Sequence, residues 1–172
     1  MRVSEPRAKY IVSRPKTSWD RAFSRAGSVG SALYREVFGF AALDRIDLVK
    51  QGLPASVLGT IADDMHVPRE RLYQWCGIAR TTANRKLTNG DTLSQDESER
   101  TLGIIRLVGQ VQHIVSQSGE ADGFDAARWT AEWLEEANAA LGGRKPGEFM
   151  DTADGRDLVF ALVAQMQSGA YA

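Results

Sequence analysis

Cysteine and histidine are scarce in this sequence, and their scarcity limits the chemistry open to the chain. Among 172 residues there is one cysteine, Cys76, so an internal disulfide is impossible and a reducing compartment fits. His66 and His113 lack both a second cysteine and a metal-binding spacing, which argues against a zinc site. Because Cys76 has no neighbouring histidine to activate it, a small buried residue is the better interpretation. We therefore expect no metal, no cofactor and no catalysis.

Long apolar runs are also missing. No segment approaches the roughly 20 apolar residues of a membrane span, and the basic N-terminus lacks the apolar stretch of a signal peptide. From residue 44 onward no segment alternates with the period of a strand, and no Gly-rich loop joins a strand to a helix. With 43% hydrophobic and 25% charged residues, the sequence predicts a globular all-α protein that has no membrane partner and lies in the cytoplasm.

The formal net charge of −1 hides an asymmetry between the two halves of the chain. Residues 1–90 carry 15 Lys and Arg against 8 Asp and Glu, a balance of +7. Residues 91–172 carry 6 against 14, a balance of −8. A basic half and an acidic half indicate two different partners. The basic half could meet nucleic acid, which would repel the acidic half.

Residues 1–43 are a basic N-terminal arm whose role the sequence leaves open. Seven basic residues fall within its first 25 positions, with weak periodicity. Such an arm is commonly solvated and mobile, but it could also touch DNA phosphate. Its last aromatic and aliphatic residues predict a first short helix, which could instead be a homodimer contact: Tyr34, Val37, Phe38 and Leu43. Trp19 is a further candidate for that contact.

Residues 44–118 are expected to form a DNA-binding domain of five helices. Their ends are marked by residues that cap or open helices: Asp44, Gly52, Pro54, Pro68, Asn89, Gly90 and a capping box that begins at Ser94. Helical spacing also predicts the buried faces. These comprise Val57, Leu58, Ile61 and Met65 in the second helix, Leu72 and Trp75 in the third, and Ile104, Ile105, Val108, Val111 and Val115 in the long fifth.

The strongest internal motif is a helix-turn-helix at residues 71–87. A helix leads into a tight turn at Gly77 and Ile78, and a short helix over residues 80–87 is dense in Arg, Thr, Asn and Lys. Such side chains read base edges, because Arg bridges guanine O6 and N7 and Asn pairs with adenine. The candidate DNA-binding residues are Arg69, Arg80, Thr81, Thr82, Asn84, Arg85 and Lys86, with Arg69 and Lys86 expected on phosphate. The alternative is an ordinary charged surface helix.

Residues 119–172 are expected to form a small C-terminal helical domain. Asp125 can cap a helix whose inner face holds Trp129, Trp133, Leu134, Ala137 and Leu141. The glycine pair after Leu141 can end that helix, Pro146 suits a short one, and Thr152 can cap the last. The last helix repeats apolar residues at helical spacing: Leu158, Val159, Leu162, Val163 and Met166. It could close the protein's own core, or part of its surface could belong to a partner.

Together these segments resemble the Xre/MbcA/ParS antitoxin family over residues 46–172. The resemblance rests on the helix-turn-helix and on KQGLP at 50–54, the helix start at 94–100, ALGGRKP at 140–146, DTADGR at 151–156 and GAYA at 169–172. The C-terminal motifs are the more specific ones, because a helix-turn-helix occurs in many repressors. Ala79 departs from the pattern, since such motifs usually place a Ser or Thr N-cap there.

The resemblance implies an antitoxin that occludes a toxin with its end and binds DNA with its middle. The family's usual partner is a RES-domain toxin that degrades NAD, and the operator of the chain's own promoter would be the second partner. The implied toxin-binding residues are Leu141, Gly142, Arg144, Pro146, Phe149, Met150, Thr152, Arg156, Gly169, Ala170, Tyr171 and Ala172. We also expect a homodimer, because one helix-turn-helix reads few base pairs. The alternative is a plain homodimeric regulator whose C-terminal module serves dimerisation or ligand sensing.

Overall fold

Helices make up the architecture of the computed structural model, which describes residues 30–119 and 123–167. The α-helices in these ranges are α1 Ser31–Phe38, α2 Ala42–Gln51, α3 Ser56–Asp64, α4 Arg69–Trp75, α5 Arg80–Asn89, α6 Gln95–Ser118, α7 Ala126–Leu134 and α8 Ala153–Gln167. Two short 3-10 helices, Ala139–Leu141 and Pro146–Phe149, lie between α7 and α8. Over the same ranges extended pairing is limited to isolated bridges, so the predicted all-α fold is confirmed.

The long helix α6 is the centre of the fold. It begins at the predicted capping box, in which the Ser94 hydroxyl accepts from the Glu97 amide and the Glu97 carboxylate accepts from the Ser94 amide. Helices α1, α2, α7 and α8 all pack against it. Four of the five residues of the predicted buried face, Ile104, Ile105, Val108 and Val111, are each at most 3% exposed, whereas Val115 is only partly buried. Helix α6 therefore contacts helices that precede it in the chain and helices that follow it.

Helix α1 packs inside its own chain, although the sequence offered its residues as a homodimer contact. Tyr34 and Val37 are buried in the core, and the ring of Phe38 lies 5.4 Å from that of His113. The close approach of α1 to α6 requires Gly109, because a Cβ there would overlap the carbonyl oxygen of Tyr34. Tyr34 and Val37 are therefore unavailable for dimerisation. Trp19 lies outside the described residues.

Several predicted helix ends are confirmed and others are wrong. Helix α3 begins at Ser56 rather than at Pro54, and Leu43, expected in the first helix, lies in α2. Helix α2 begins at Ala42 rather than at Asp44, whose carboxylate lies in the first turn and stabilises the positive end of the helix dipole. Asp125 caps α7 as predicted, but the helix ends at Leu134. Asn138 then starts a 3-10 helix by accepting from the Ala140 amide. Because of this break, Leu141 reaches the core on a separate turn while Ala137 stays exposed.

Cys76 has the structural role that the sequence predicts. It is fully buried at the end of α4. Burial raises the pKa of its thiol to about 12, and the neighbouring Thr101 hydroxyl and the charge of Arg100 offset only part of that effect. A thiol with this pKa stays protonated at neutral pH and is a poor nucleophile.

Candidate functional site

The helix-turn-helix consists of α4 and α5, joined by residues 76–79. Gly77 in the turn has a φ of 58°, a left-handed conformation that glycine adopts without steric cost. The amide of Ile78 donates to the carbonyl of Tyr73 at 2.9 Å and closes the turn, and the Ile78 side chain is buried. Ala79 is the N-cap of α5 and supplies no side-chain hydrogen bond. The predicted helix, glycine turn and apolar residue are therefore present in order.

The outer face of α5 presents four of the candidate DNA-binding residues to solvent. Arg80, Thr81, Asn84 and Arg85 are all exposed, whereas Ala83 on the inner side is completely buried. Residues spaced by one, four and five positions share one face of a helix. This set is therefore one accessible surface, which we call the α5 face.

Two arginines of the α5 face have acidic neighbours. Nε of Arg80 lies 3.4 Å from the Glu70 carboxylate, and Nη1 of Arg85 lies 3.9 Å from that of Asp91. The four side chains are 44% to 69% exposed. Exposed pairs of this kind contribute between zero and about 1 kcal/mol. A DNA phosphate or base edge could therefore replace the carboxylates at small cost.

The remaining candidates on or near this surface differ in accessibility. The Tyr73 hydroxyl donates to Oδ1 of Asn84 at 3.4 Å and so restrains the orientation of its amide. Arg69 is exposed at the start of α4, and Thr82 is only partly accessible. Asn84 and Arg69 can reach a ligand outside the protein, and Thr82 has less access to one.

Lys86 has a different environment from the phosphate contact that the sequence predicts. Its ammonium group lies 2.7 Å from the Glu97 carboxylate and also donates to the carbonyl of Thr92. The two charged side chains are 13% and 12% exposed. Because Glu97 also completes the capping box of α6, Lys86 joins the end of α5 to the start of α6. The predicted contact with phosphate would require this ammonium group to leave Glu97.

Four of the implied toxin-binding residues lie inside the protein. Leu141, Pro146, Met150 and Arg156 are all buried. Nη2 of Arg156 lies 2.9 Å from the Glu99 carboxylate, and its Nη1 donates to the carbonyl of Met150 at 3.3 Å. Arg156 therefore fastens α8 to α6 and cannot contact a toxin without leaving that position.

A second group of implied toxin-binding residues is accessible. Gly142, Arg144 and Thr152 are exposed, and Phe149 is half-buried. The Arg144 guanidinium lies 4.3 Å from the centroid of the Phe149 ring and pairs with Glu148 at 3.0 Å. Thr152 also caps α8 as predicted, because its hydroxyl accepts from the Gly155 amide. Gly169, Ala170, Tyr171 and Ala172 lie outside the described residues.

Leu158 belongs to the apolar stripe predicted for the last helix, but it lies on the surface. Val159, Leu162 and Val163 of the predicted stripe are buried, but Leu158 is 43% exposed. At about 100° per residue, Leu158 lies roughly 90° around the helix from the centre of the buried stripe. This angle could have predicted that its side chain is exposed. An exposed leucine beside the exposed Asp154 and Asp157 gives α8 an outer face with one apolar and two acidic side chains.

Comparison with known proteins matches one family model to the helix-turn-helix and another to the C-terminal region. A model of the antitoxin Xre-like helix-turn-helix domain matches residues 44–106, and a model of the antitoxin Xre/MbcA/ParS C-terminal toxin-binding domain matches residues 122–169. A protein of Sphingobium sp. (strain YBL2) described as a Prs ADP-ribosylating antitoxin is 39% identical over 139 residues. The match covers 81% of this chain and 87% of the relative.

The chain belongs to the Xre/MbcA/ParS family of antitoxins. The antitoxin therefore carries a helix-turn-helix and a toxin-binding domain in one chain, and a cognate toxin is its partner. Over the described ranges, its helices are too short or too polar to cross a membrane.

In this antitoxin the two parts are joined through Glu135. The Glu135 carboxylate accepts from the indole Nε1 of Trp75 at 3.2 Å and pairs with Arg71 at 3.4 Å, both from α4 of the helix-turn-helix. It also pairs at 3.0 Å with Lys145, which precedes the second 3-10 helix of the toxin-binding domain. Gly147 in that helix packs directly on the Trp75 indole. The toxin-binding domain therefore supports the first helix of the helix-turn-helix.

Proposed function

We propose that this antitoxin neutralises a RES-domain toxin, an enzyme that consumes NAD. The antitoxin would block the active site of the toxin with residues 141–172. The observation that carries the proposal is the match to a toxin-binding domain at residues 122–169. The description of the Sphingobium relative couples it to ADP-ribosylation. Transfer of ADP-ribose from NAD and degradation of NAD both break the bond between nicotinamide and ribose. Either activity requires a pocket that holds NAD, and that pocket is the proposed target.

Charge complementarity supports this target. Residues 91–172 have a balance of −8, and a pocket for the pyrophosphate of NAD is expected to be basic. The accessible part of the toxin-binding domain includes the exposed Asp154 and Asp157, which lie near Leu158 on α8. An acidic rim would guide the two proteins together, and an apolar centre would provide the area that is buried between them.

The mechanism requires no chemistry from the antitoxin. A chain segment that fills the mouth of the pocket excludes NAD by occupying its volume. The buried residues Met150 and Arg156 would keep the preceding helices in place, while the exposed face of α8 and residues 168–172 would touch the toxin. In this arrangement the last residues would be the plug, and α8 would be the anchor.

Deletion of residues 168–172 tests the division between plug and anchor. We expect the truncated antitoxin to bind the toxin, measured by calorimetry, but to leave NAD consumption in a purified assay uninhibited. Full protection by the truncated chain would show that the tail is not the plug. Loss of binding by a folded truncated chain would assign the anchor to the tail. A parallel assay for ADP-ribosylated protein and for free nicotinamide would distinguish transfer of ADP-ribose from degradation of NAD.

We further propose that the antitoxin represses its own operon through the α5 face. Four accessible side chains suited to base edges support this role, and their weak acidic pairs leave them available. Operator recognition by paired half-sites would require a homodimer, whose contact must involve surfaces other than Tyr34 and Val37. Since NAD, toxin and operator would all be met in the cytoplasm, we place the antitoxin there.

A further inference from the structure

A cavity lies between α2, α6 and α8, and no residue of the α5 face lines it. It has a volume of about 430 Å³. The lining comes from both parts of the antitoxin, with Arg45 and Lys50 on α2, Arg106 on α6 and Phe160 on α8. The proposed operator contact does not use it, and of Asp154, Asp157 and Leu158 in the proposed toxin contact only Asp157 lines it.

Cationic groups outnumber carboxylates in this cleft. Arg45, Lys50, Arg106 and Arg156 line it, together with the carboxylates of Glu99 and Asp157. Arg156 and Glu99 neutralise each other at 2.9 Å. The three remaining cations therefore share one exposed carboxylate, that of Asp157.

Arg106 is the least compensated cation of the cleft. Its guanidinium lies 4.9 Å from the centroid of the Phe160 ring, and its Nε is buried without a hydrogen-bond partner in the described part of the chain. Burial lowers the pKa of Arg106, and the positive charges of Arg45 and Arg156 lower it further. A buried N–H donor without an acceptor costs free energy, and so do like charges held together. An anion in the cleft would offset the repulsion between these charges.

The walls of the cleft indicate the kind of anion. Ile46 and Val49 on α2 and Leu102 on α6 provide an apolar side, and Phe160 provides an aromatic edge. A volume of about 430 Å³ falls in the range of small-molecule sites, roughly 300–1,000 Å³. Arginine is the preferred side chain for binding phosphate, because its planar guanidinium offers paired donors.

We propose that the cleft between α2, α6 and α8 binds the phosphate of a nucleotide-sized ligand, with Arg45 and Arg106 as its main contacts. Lys50 adds charge at the rim, and the apolar wall accepts the uncharged part of the ligand. The site needs neither toxin nor operator. Because its lining joins α2 of the helix-turn-helix domain to α8 of the toxin-binding domain, an occupied cleft would tie the two parts together.

Calorimetric titration of the full-length antitoxin with AMP and with pyrophosphate tests the proposal, with chloride used to hold the ionic strength constant. We expect saturable binding of one ligand per chain. Arg45→Gln and Arg106→Gln should each weaken binding at least about tenfold, as loss of a charged hydrogen bond does. Arg128→Gln is the matched control, because Arg128 lies on α7 outside the cleft, is paired with Glu132 and is 63% exposed. This variant should bind like the wild type.

Circular dichroism would establish that each variant is folded. If Arg106→Gln fails to fold, Arg45→Gln and Lys50→Gln on the more accessible α2 decide the outcome. Absence of saturable binding to the wild type, or equal weakening by Arg128→Gln, would overturn the proposal. A DNA backbone is the other source of phosphate. If Arg45→Gln weakens operator binding and leaves AMP binding unchanged, the cleft serves DNA and the small-molecule site is refuted.

Discussion

At the scale of single residues, exposure separates side chains that can bind a partner from those that hold the fold together. Arg80 and Arg85 have side chains 69% and 63% exposed, whereas that of Lys86 is 13% exposed. All three come from one short basic segment. The two arginines are accessible for binding DNA, whereas the lysine stabilises the fold. Substituting the arginines should therefore affect DNA binding, and substituting the lysine should affect the free energy of unfolding.

Replacing Arg80 and Arg85 together with alanine should weaken operator binding and relax base preference. Each lost bidentate contact to a base is worth about 1–3 kcal/mol of discrimination. Fluorescence anisotropy with a labelled promoter fragment at fixed salt would measure the effect. Arg128→Ala is the control for the loss of an exposed arginine. A folded double variant that binds as tightly as the wild type would show that α5 is not the recognition helix.

Lys86→Ala should lower the free energy of unfolding by about 2 kcal/mol, because it leaves the nearly buried Glu97 carboxylate without its main partner. The exposed pair of Arg128 and Glu132 is the comparison, and Arg128→Ala should cost under about 1 kcal/mol. Urea denaturation at neutral pH would measure both. Equal stability of the two variants would remove the structural role assigned to Lys86.

The same pair gives a pH dependence with a definite sign. Burial disfavours the charged form of Glu97, but hydrogen bonds from Lys86 and Ser94 outweigh burial and hold its pKa below the usual value. A carboxyl group with a lowered folded pKa stabilises the protein above its unfolded pKa of about 4.3. This stabilisation is lost as the pH falls through the lower folded value. The difference between wild type and Lys86→Ala should therefore shrink below about pH 4.3.

At the scale of elements, the sequence predicts the helices better than their surroundings. The capping box at Ser94 and the turn at Gly77 are local features, because neighbouring backbone and side-chain groups determine them. The packing of α1 on α6 depends on residues 75 positions apart, Tyr34 and Gly109. No local pattern distinguishes a buried Tyr34 from one at a dimer contact.

The site shows the same limit. The composition of α5 predicts an accessible polar face, and exposure of Arg80, Thr81, Asn84 and Arg85 agrees with it. Charge alone does not reveal that Lys86 meets Glu97, because that contact depends on how α5 and α6 are placed. The cleft that contains Arg106 and Phe160 is likewise formed by separate helices and has no sequence signature.

Helix α8 offers a test of its outer face. Leu158→Asp should weaken toxin binding at least about tenfold, since a charge at the apolar centre of an interface is costly there. The fold should be retained, because Leu158 is 43% exposed. Leu43→Asp is the matched control, since Leu43 is 75% exposed on α2 and lies outside the toxin-binding domain. Calorimetry that finds the same toxin affinity for both variants would exclude the α8 face as the anchor.

At the scale of the whole molecule, the two functional parts share one support. Helix α6 packs against elements of both, and Glu135 connects Trp75 and Arg71 of α4 to Lys145 of the toxin-binding domain. The helix-turn-helix and the toxin-binding domain are therefore separate in sequence but packed against each other. A substitution at the contact between the two domains should therefore destabilise both of them, even where it leaves both binding surfaces unchanged.

Gly147→Ala tests this connection, because the added Cβ would lie 2.5 Å from Nε1 of Trp75 and 2.9 Å from the carbonyl oxygen of Leu134. We expect the indole to move, its hydrogen bond to Glu135 to break, and the free energy of unfolding to fall by about 1–3 kcal/mol. Hydrogen exchange resolved by peptide should show faster exchange in α4 and α5 as well as in α7. Gly39→Ala is the control, since Gly39 has a φ of −76° and a Cβ there would meet its nearest neighbour at 3.5 Å. Faster exchange confined to the toxin-binding domain would show that the two parts open independently and that Glu135 does not couple them.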